Sequence, residues 1–168
     1  MQLRTQPLEK LLWSEADFPR MGWHDASIHA MATLPETFEL AFDLDYIVEW
    51  VAPVPPNPYF KFWIAPATLI FANVADVQYQ IASPLGEFTL QDIQRRDPQP
   101  TPNGALLHWL WVLAGNEGSI QLRATGYQQV FRRAPLLVPR QALTFAERGG
   151  ISFSRQPDEL VSGPAPGR

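Results

Sequence analysis

Seventeen prolines, about twice the usual share, divide this 168-residue chain into short runs of alternating apolar and polar residues. Proline fixes φ and carries no donor, so a sheet tolerates it only in turns, at strand ends and on edges. Here the prolines gather in Pro35-Glu36-Thr37, in Pro53 to Pro58 and in Pro98 to Gly104, with a further turn at Gly115-Asn116-Glu117-Gly118. Between the clusters, Phe38, Leu40, Phe42, Leu44 and Tyr46 alternate with Glu39, Ala41, Asp43, Asp45 and Ile47. That period of two belongs to a half-buried strand. Further strands are expected over Ala26–Leu34, Tyr59–Ile64, Thr68–Ile81, Phe88–Arg95, Leu106–Leu113, Ser119–Phe131 and Leu136–Val138.

No amphipathic helix intervenes between these runs, which favours antiparallel pairing over an α/β arrangement. The expected fold is all-β, mainly antiparallel, a single sandwich or barrel with short helical segments near the N- and C-termini. One such segment is Gln6–Trp13, with Pro7 in its first turn and Leu8, Leu11 and Leu12 as its stripe. The other starts at Thr144, which has capping-box spacing to Glu147, and stops at Gly149-Gly150. Residues 1–155 are expected to form one β domain, within the usual span of roughly 50–250 residues. Residues 156–168, polar and rich in small side chains, read as a disordered tail.

The chain has no cysteine, which excludes a disulfide scaffold, a Cys-ligated metal and a thiol nucleophile. A net charge of -4 argues against a protein that coats nucleic acid. Met1 to Lys10 lacks the apolar stretch of a signal peptide, and uncharged runs such as Ala65 to Ala75 are too short to cross a bilayer. A soluble cytoplasmic protein is therefore expected, with no membrane segment.

Face patterning assigns registers to two hairpins. Pairing Leu34 with Phe38 sets Ala32, Ala30 and Ile28 opposite Leu40, Phe42 and Leu44, an apolar face throughout. The other face then holds His29 opposite Asp43, Ser27 opposite Asp45 and Asp25 opposite Ile47. In the second hairpin, Trp111 pairs with Ile120 and Trp109 with Leu122, leaving His108 to face Arg123.

Charge is strongly segregated along the chain. Leu11 to Phe60 carries eight acids against the single base Arg20, whereas Gly118 to Ala146 carries four arginines and no acid. Asp25, Glu39, Asp43, Asp45 and Glu49 share parity with Ser27 and His29. Like charges crowded on one sheet face repel, so these seven residues form the candidate partner-binding surface, kept acidic for a basic protein. A solvated face with weak internal pairings explains the same residues without a partner. Arg132-Arg133 has the matching reading, as a pair that balances the acidic half of its own molecule.

Asp25, His29 and Asp43 are also candidate metal ligands or an acid/base cluster, because mixed imidazole and carboxylate donors suit zinc, manganese or iron. No His-Glu-x-x-His string, EF-hand loop, phosphate-binding glycine loop or Gly-x-Ser-x-Gly elbow is present. Accordingly no catalytic residue is assigned and no cofactor is implied. His24 has core parity, and His108 is treated as a core histidine too. Of six tryptophans, Trp50, beside the Pro53 to Pro58 loop, is the one expected to be partly exposed.

Gly22-Trp23-His24-Asp25 with Ile28-His29, Asp43-Leu44-Asp45-Tyr46-Ile47, Phe62 to Leu69, and Gly126-Tyr127-Gln128-Gln129-Val130 resemble a group of small uncharacterised bacterial proteins over Met21 to about Glu147. That resemblance brings no activity with it. In size and β pattern the chain is also similar to immunity proteins of bacterial polymorphic toxin systems. The expected function is thus a non-enzymatic protein-binding module, an immunity-type inhibitor being one form of it. The alternatives are an enzyme built on the Asp/His cluster and a structural or assembly subunit that uses exposed sheet edges.

Overall fold

Alternation and proline punctuation build ten strands and two short helical turns in the computed structural model, which describes residues 8–158. The strands are β1 (Leu12–Ser14), β2 (Ser27–Leu34), β3 (Glu39–Val51), β4 (Lys61–Ala72), β5 (Ala75–Ile81), β6 (Phe88–Pro100), β7 (Leu107–Gly115), β8 (Gly118–Ala124), β9 (Gly126–Phe131) and β10 (Leu136–Val138). A 3-10 helix spans Glu15–Arg20, and α1 spans Phe145–Arg148. The expected all-β, mainly antiparallel class is what the chain adopts. All ten strands belong to one sheet, ordered β1-β9-β4-β3-β2-β6-β7-β8-β5, with β10 alongside β4. Sandwich and barrel give way to a single open sheet that does not close.

The sheet is joined in its middle by a short ladder, Ser27 with Thr89 and Ile28 with Phe88, extended by hydrogen bonds of Leu90 with Asp25 and Ala26 at 2.8 Å each. It curls there, so that both halves share one core. Phe42, Leu44, Leu69 and Phe71 from one half meet Leu90, Trp111, Leu113 and Leu122 from the other. Phe71 and Trp111 touch edge to face, their ring centroids 5.4 Å apart. Trp23 is buried in the same core and donates its indole N–H to Gln129 Oε1 at 2.8 Å, which satisfies the indole and the amide oxygen and leaves the buried Gln129 Nε2 without a partner among the described residues.

Proline lies at the end of β6 and, unexpectedly, within β4. Pro66 sits in the middle of β4, a central strand, where a missing donor would break a ladder. Its carbonyl accepts from Arg132 N at 2.9 Å. The N–H and C=O of a strand residue point to the same side, so the missing donor faces the gap between β9 and β10, where no partner strand runs. The expected break there is absent, and β4 runs unbroken from Lys61 to Ala72. The interruption falls instead at Asn73, in left-handed backbone with φ 53°. Similarly, Ser119–Phe131 is two strands divided at Thr125, not one.

Both hairpin registers differ from expectation. Ser27 faces Asp45 and Ile28 faces Leu44 as read, but a bulge between Ile28 and Ala30 shifts the rest by one. Leu34 therefore pairs with Glu39, and Phe38 becomes a turn residue at φ 54°. The second hairpin closes around Asn116-Glu117, which sets Trp111 opposite Leu122 and Leu110 opposite Arg123, a shift of two that preserves the faces. His108 lies instead across from Gln99 of β6.

The N-terminal helix over Gln6–Trp13 is not formed where the chain is described: Leu12 and Trp13 pair with Val130 and Gln129 as an added strand. Its Gln6 and Pro7 lie outside the described residues. At the other end the capping box closes as read, with Glu147 N donating to Thr144 Oγ1 at 3.3 Å and Thr144 N to Glu147 Oε2 at 2.8 Å. Gly149 follows in left-handed backbone, φ 73°. The tail expected over 156–168 starts within the described residues, where Asp158 N is tied to the Arg132 carbonyl at 2.8 Å and its carboxylate accepts from Arg133 Nε at 2.6 Å, while 159–168 lie outside them.

Candidate functional site

Successive strand residues face opposite sides of the sheet. Leu40, Phe42 and Leu44 of β3 take the core side, which leaves Asp43 and Asp45 on the outer side. Both carboxylates are nevertheless fully buried, because the chain from Arg132 to Asp158 is laid over the outer face of β3 and β4. A second apolar cluster supports this cover, with Ile47, Phe62 and Ile64 packed against Val138 and Leu143.

The charges beneath it are matched two against two. Asp43 Oδ1 accepts from Arg132 Nη2 and Arg148 Nη2, each at 2.7 Å. Asp43 Oδ2 accepts from Arg148 Nη1 at 2.8 Å and Ser152 N at 3.0 Å. Asp45 takes Arg148 Nε at 3.2 Å on one oxygen and Leu143 N at 2.8 Å on the other. Arg132 Nη1 donates to Thr68 Oγ1 at 2.9 Å, and that hydroxyl donates to the Ser154 carbonyl at 2.7 Å. Burial alone would raise the Asp43 carboxyl, but Arg148, the Ser152 amide and Arg132 outweigh it and hold it below the usual carboxylate range. Burial alone would lower Arg148, whereas Asp43 and Asp45 hold its guanidinium above its ordinary value.

The seven residues expected to face a partner therefore divide. Asp43 and Asp45 are enclosed and engaged with the chain's own arginines. Glu39 is clasped by Arg155, with Nη1 to Oε1 at 3.0 Å, and that guanidinium keeps its carboxyl low. Ser27 is half-buried between β3 and β6. His29 occupies the bulge, its Nε2 2.8 Å from Asp45 Oδ2 and its ring open to solvent on one side. Asp25 stands just before β2 at φ 61°, its Oδ2 accepting from Gln141 Nε2 at 2.8 Å. Glu49 is exposed near the end of β3.

The metal candidates are likewise parted, since the bulge turns His29 to Asp45 rather than Asp43. Asp43 is saturated by donors, and Asp25 is held by Gln141. Among the described residues, no three His, Asp or Glu side chains are placed to hold a metal ion.

A different surface stands open at the far end of β3. Trp50 is 42% exposed, as its place beside the proline loop led one to expect, and Tyr59 is 73% exposed. Trp50 rests edge-on against Phe62 at 5.0 Å and Phe60 at 6.2 Å, and Phe60 is also exposed. His24 stacks on Trp50 at 5.8 Å. It is exposed, contrary to its expected core position, because Trp23 to Ala26 forms a turn, closed by Ala26 N to Trp23 O at 3.0 Å, and parity has no meaning there. His108 is half-buried, opening on a hollow of about 500 Å³. Asp25 and Glu49 adjoin the aromatic group through their chain neighbours His24 and Trp50.

Sequence reasoning missed Arg148, the central cation, although it follows the capping-box glutamate and extends the arginine-rich stretch. Phe60 and His24 were missed as companions of Trp50, with Tyr59 exposed next to Phe60 in the chain, because only the path leading into β4 and the turn at Trp23 bring the rings together. No known protein family, no curated protein and no solved structure matches this chain.

Proposed function

We propose that this protein is a non-enzymatic binding module that holds a basic protein at the aromatic end of the β3–β4 hairpin. The observation that carries the reading is the joint exposure of Trp50, Tyr59 and Phe60 around a proline loop, with Asp25 and Glu49 beside them. Apolar rings left in water contribute little to folding, and contiguous exposed patches mark interaction sites. Trp and Tyr are also the side chains that anchor interfaces. The neighbouring carboxylates and the net charge of -4 favour a basic partner, steering its approach more than tightening its grip. An immunity-type inhibitor of a basic toxin is one member of this class.

Capture from the native cell at low salt tests it, with a Trp50→Ser/Tyr59→Ser variant alongside. The wild type should retain a basic protein that salt releases, and the variant should bind that protein at least about tenfold more weakly. Equal retention by a variant that keeps its urea midpoint would remove the aromatic end from consideration. A retained protein that is not basic would remove the electrostatic half of the reading.

A further inference from the structure

The two ends of the sheet are finished differently. β1 is three residues long and lies between Lys10 and Glu15. At the opposite end, β5 is seven residues long and, among the described residues, pairs only with β8. Free edges are ordinarily blunted by charge, proline, a bulge or shortness. In β5 a bulge occupies the stretch from Ala75 to Gln78, but the strand is regular from Gln78 to Ile81. No charged residue occurs from Gln78 through Leu85.

Alternation determines which backbone groups this edge offers. Ala82 donates its amide to Glu117 O at 2.9 Å, on the β8 side. In an antiparallel pair every second residue points the same way, so Gln80 and Gln78 also turn to β8. The N–H and C=O groups of Tyr79 and Ile81 face outward. Their side chains share one face and are exposed, Tyr79 by 45% and Ile81 by 36%.

We propose that this edge pairs with the same edge of a second copy of the chain, antiparallel about Gln80. In that register Tyr79 of each copy lies opposite Ile81 of the other, and the two residues exchange N–H···O bonds in both directions. An aromatic ring then stands beside a β-branched side chain, a favourable cross-strand neighbour. Gln80 faces itself across the two-fold, in the closer, non-hydrogen-bonded type of pair. No like charges are opposed. A basic partner would find no charge to read on this segment, so the neutral, self-complementary edge favours a second copy. The inference is independent of the function proposed above, whose aromatic end lies on other strands.

Light scattering across a dilution series of the full chain tests it. The wild type should pass from the 19.0 kDa monomer to twice that mass as concentration rises. Gln80→Lys and Gln80→Glu should each remain monomeric, because the substituted residue meets its own charge across the axis. An equal mixture of the two variants should recover the doubled mass, which misfolded chains would not do. In the wild type, exchange of the Tyr79 and Ile81 amides should slow as the dimer forms. A wild type that stays monomeric overturns the proposal. So does a dimer that either variant leaves intact, or a mixture that fails to pair.

Discussion

β3 carries two surfaces with opposite fates. In its middle, Asp43 and Asp45 would crowd like charges on one sheet face, and the chain covers them with arginines that arrive about 90–105 residues later. At its end, Trp50 and its neighbours would gain by burial, and they stand in solvent. The side chains that prefer water are enclosed and those that avoid it are displayed. Burying ions is rarely the cheapest way to stabilise a sheet. The enclosed pairs match the two outward carboxylates of β3 to the segment that brings Arg132 and Arg148.

The comparison breaks most visibly at Arg148. Arg148→Met leaves Asp43 with Arg132 alone and Asp45 with His29 and no arginine, a buried charge deprived of its partner at a cost of about 3–5 kcal/mol. Urea unfolding should show that loss, and limited proteolysis should cut between Val138 and Asp158 before the strands are touched. An unchanged midpoint would mean that the apolar contacts of Val138 and Leu143 hold the segment without help from the charges.

Acid should undo the same surface more gradually. The folded-state value of Asp43 lies below its unfolded value, so the native state binds fewer protons and stability rises with pH. Its contribution is complete above the unfolded carboxylate range near pH 4 and is lost as pH falls through the depressed folded value. Asp17, held at about 2 by Lys10, then the Ser14 amide and Arg20, moves in the same sense on the exposed 3-10 helix. Asp43→Asn is expected to start from lower stability at neutral pH and to lose less of it between pH 5 and pH 2. Equal acid slopes for the two proteins would show that other carboxylates govern the response.

How far these surfaces were legible in the sequence follows from what each depends on. The class of fold rests on alternation, a local property, and it was readable. The face of Asp43 and Asp45 on β3 was readable too, as was the meeting of acids with arginines within one molecule. The register of His29 was not, because a bulge adds one residue without changing composition, and it redirects the ring from Asp43 to Asp45. Burial of the carboxylates was also invisible, since Arg148 lies 105 residues from Asp43 and its approach depends on the path of an irregular segment. The same limit explains why Trp50 was seen as exposed while its companions were not. A proline loop is a local feature, whereas the stacking of His24 on Trp50 joins a turn to a strand that is distant in sequence.

The smallest effect is expected at Trp50 itself, and its smallness is the informative part. Its ring touches His24, Phe60 and Phe62, and His24 and Phe60 are themselves exposed. Trp50→Ser therefore empties no enclosed cavity, and the change should stay within about 1 kcal/mol, against the 3–5 kcal/mol usual for truncating a core aromatic. Thermal unfolding of Trp50→Ser beside Trp111→Ser measures the contrast directly, because Trp111 is fully buried and donates its indole N–H to the Ala124 carbonyl at 3.1 Å. If the two variants lose equal stability, the aromatic end belongs to the core and its exposure says nothing about a partner. If Trp50→Ser unfolds close to the wild type, the ring's contribution lies outside folding, as a binding surface requires.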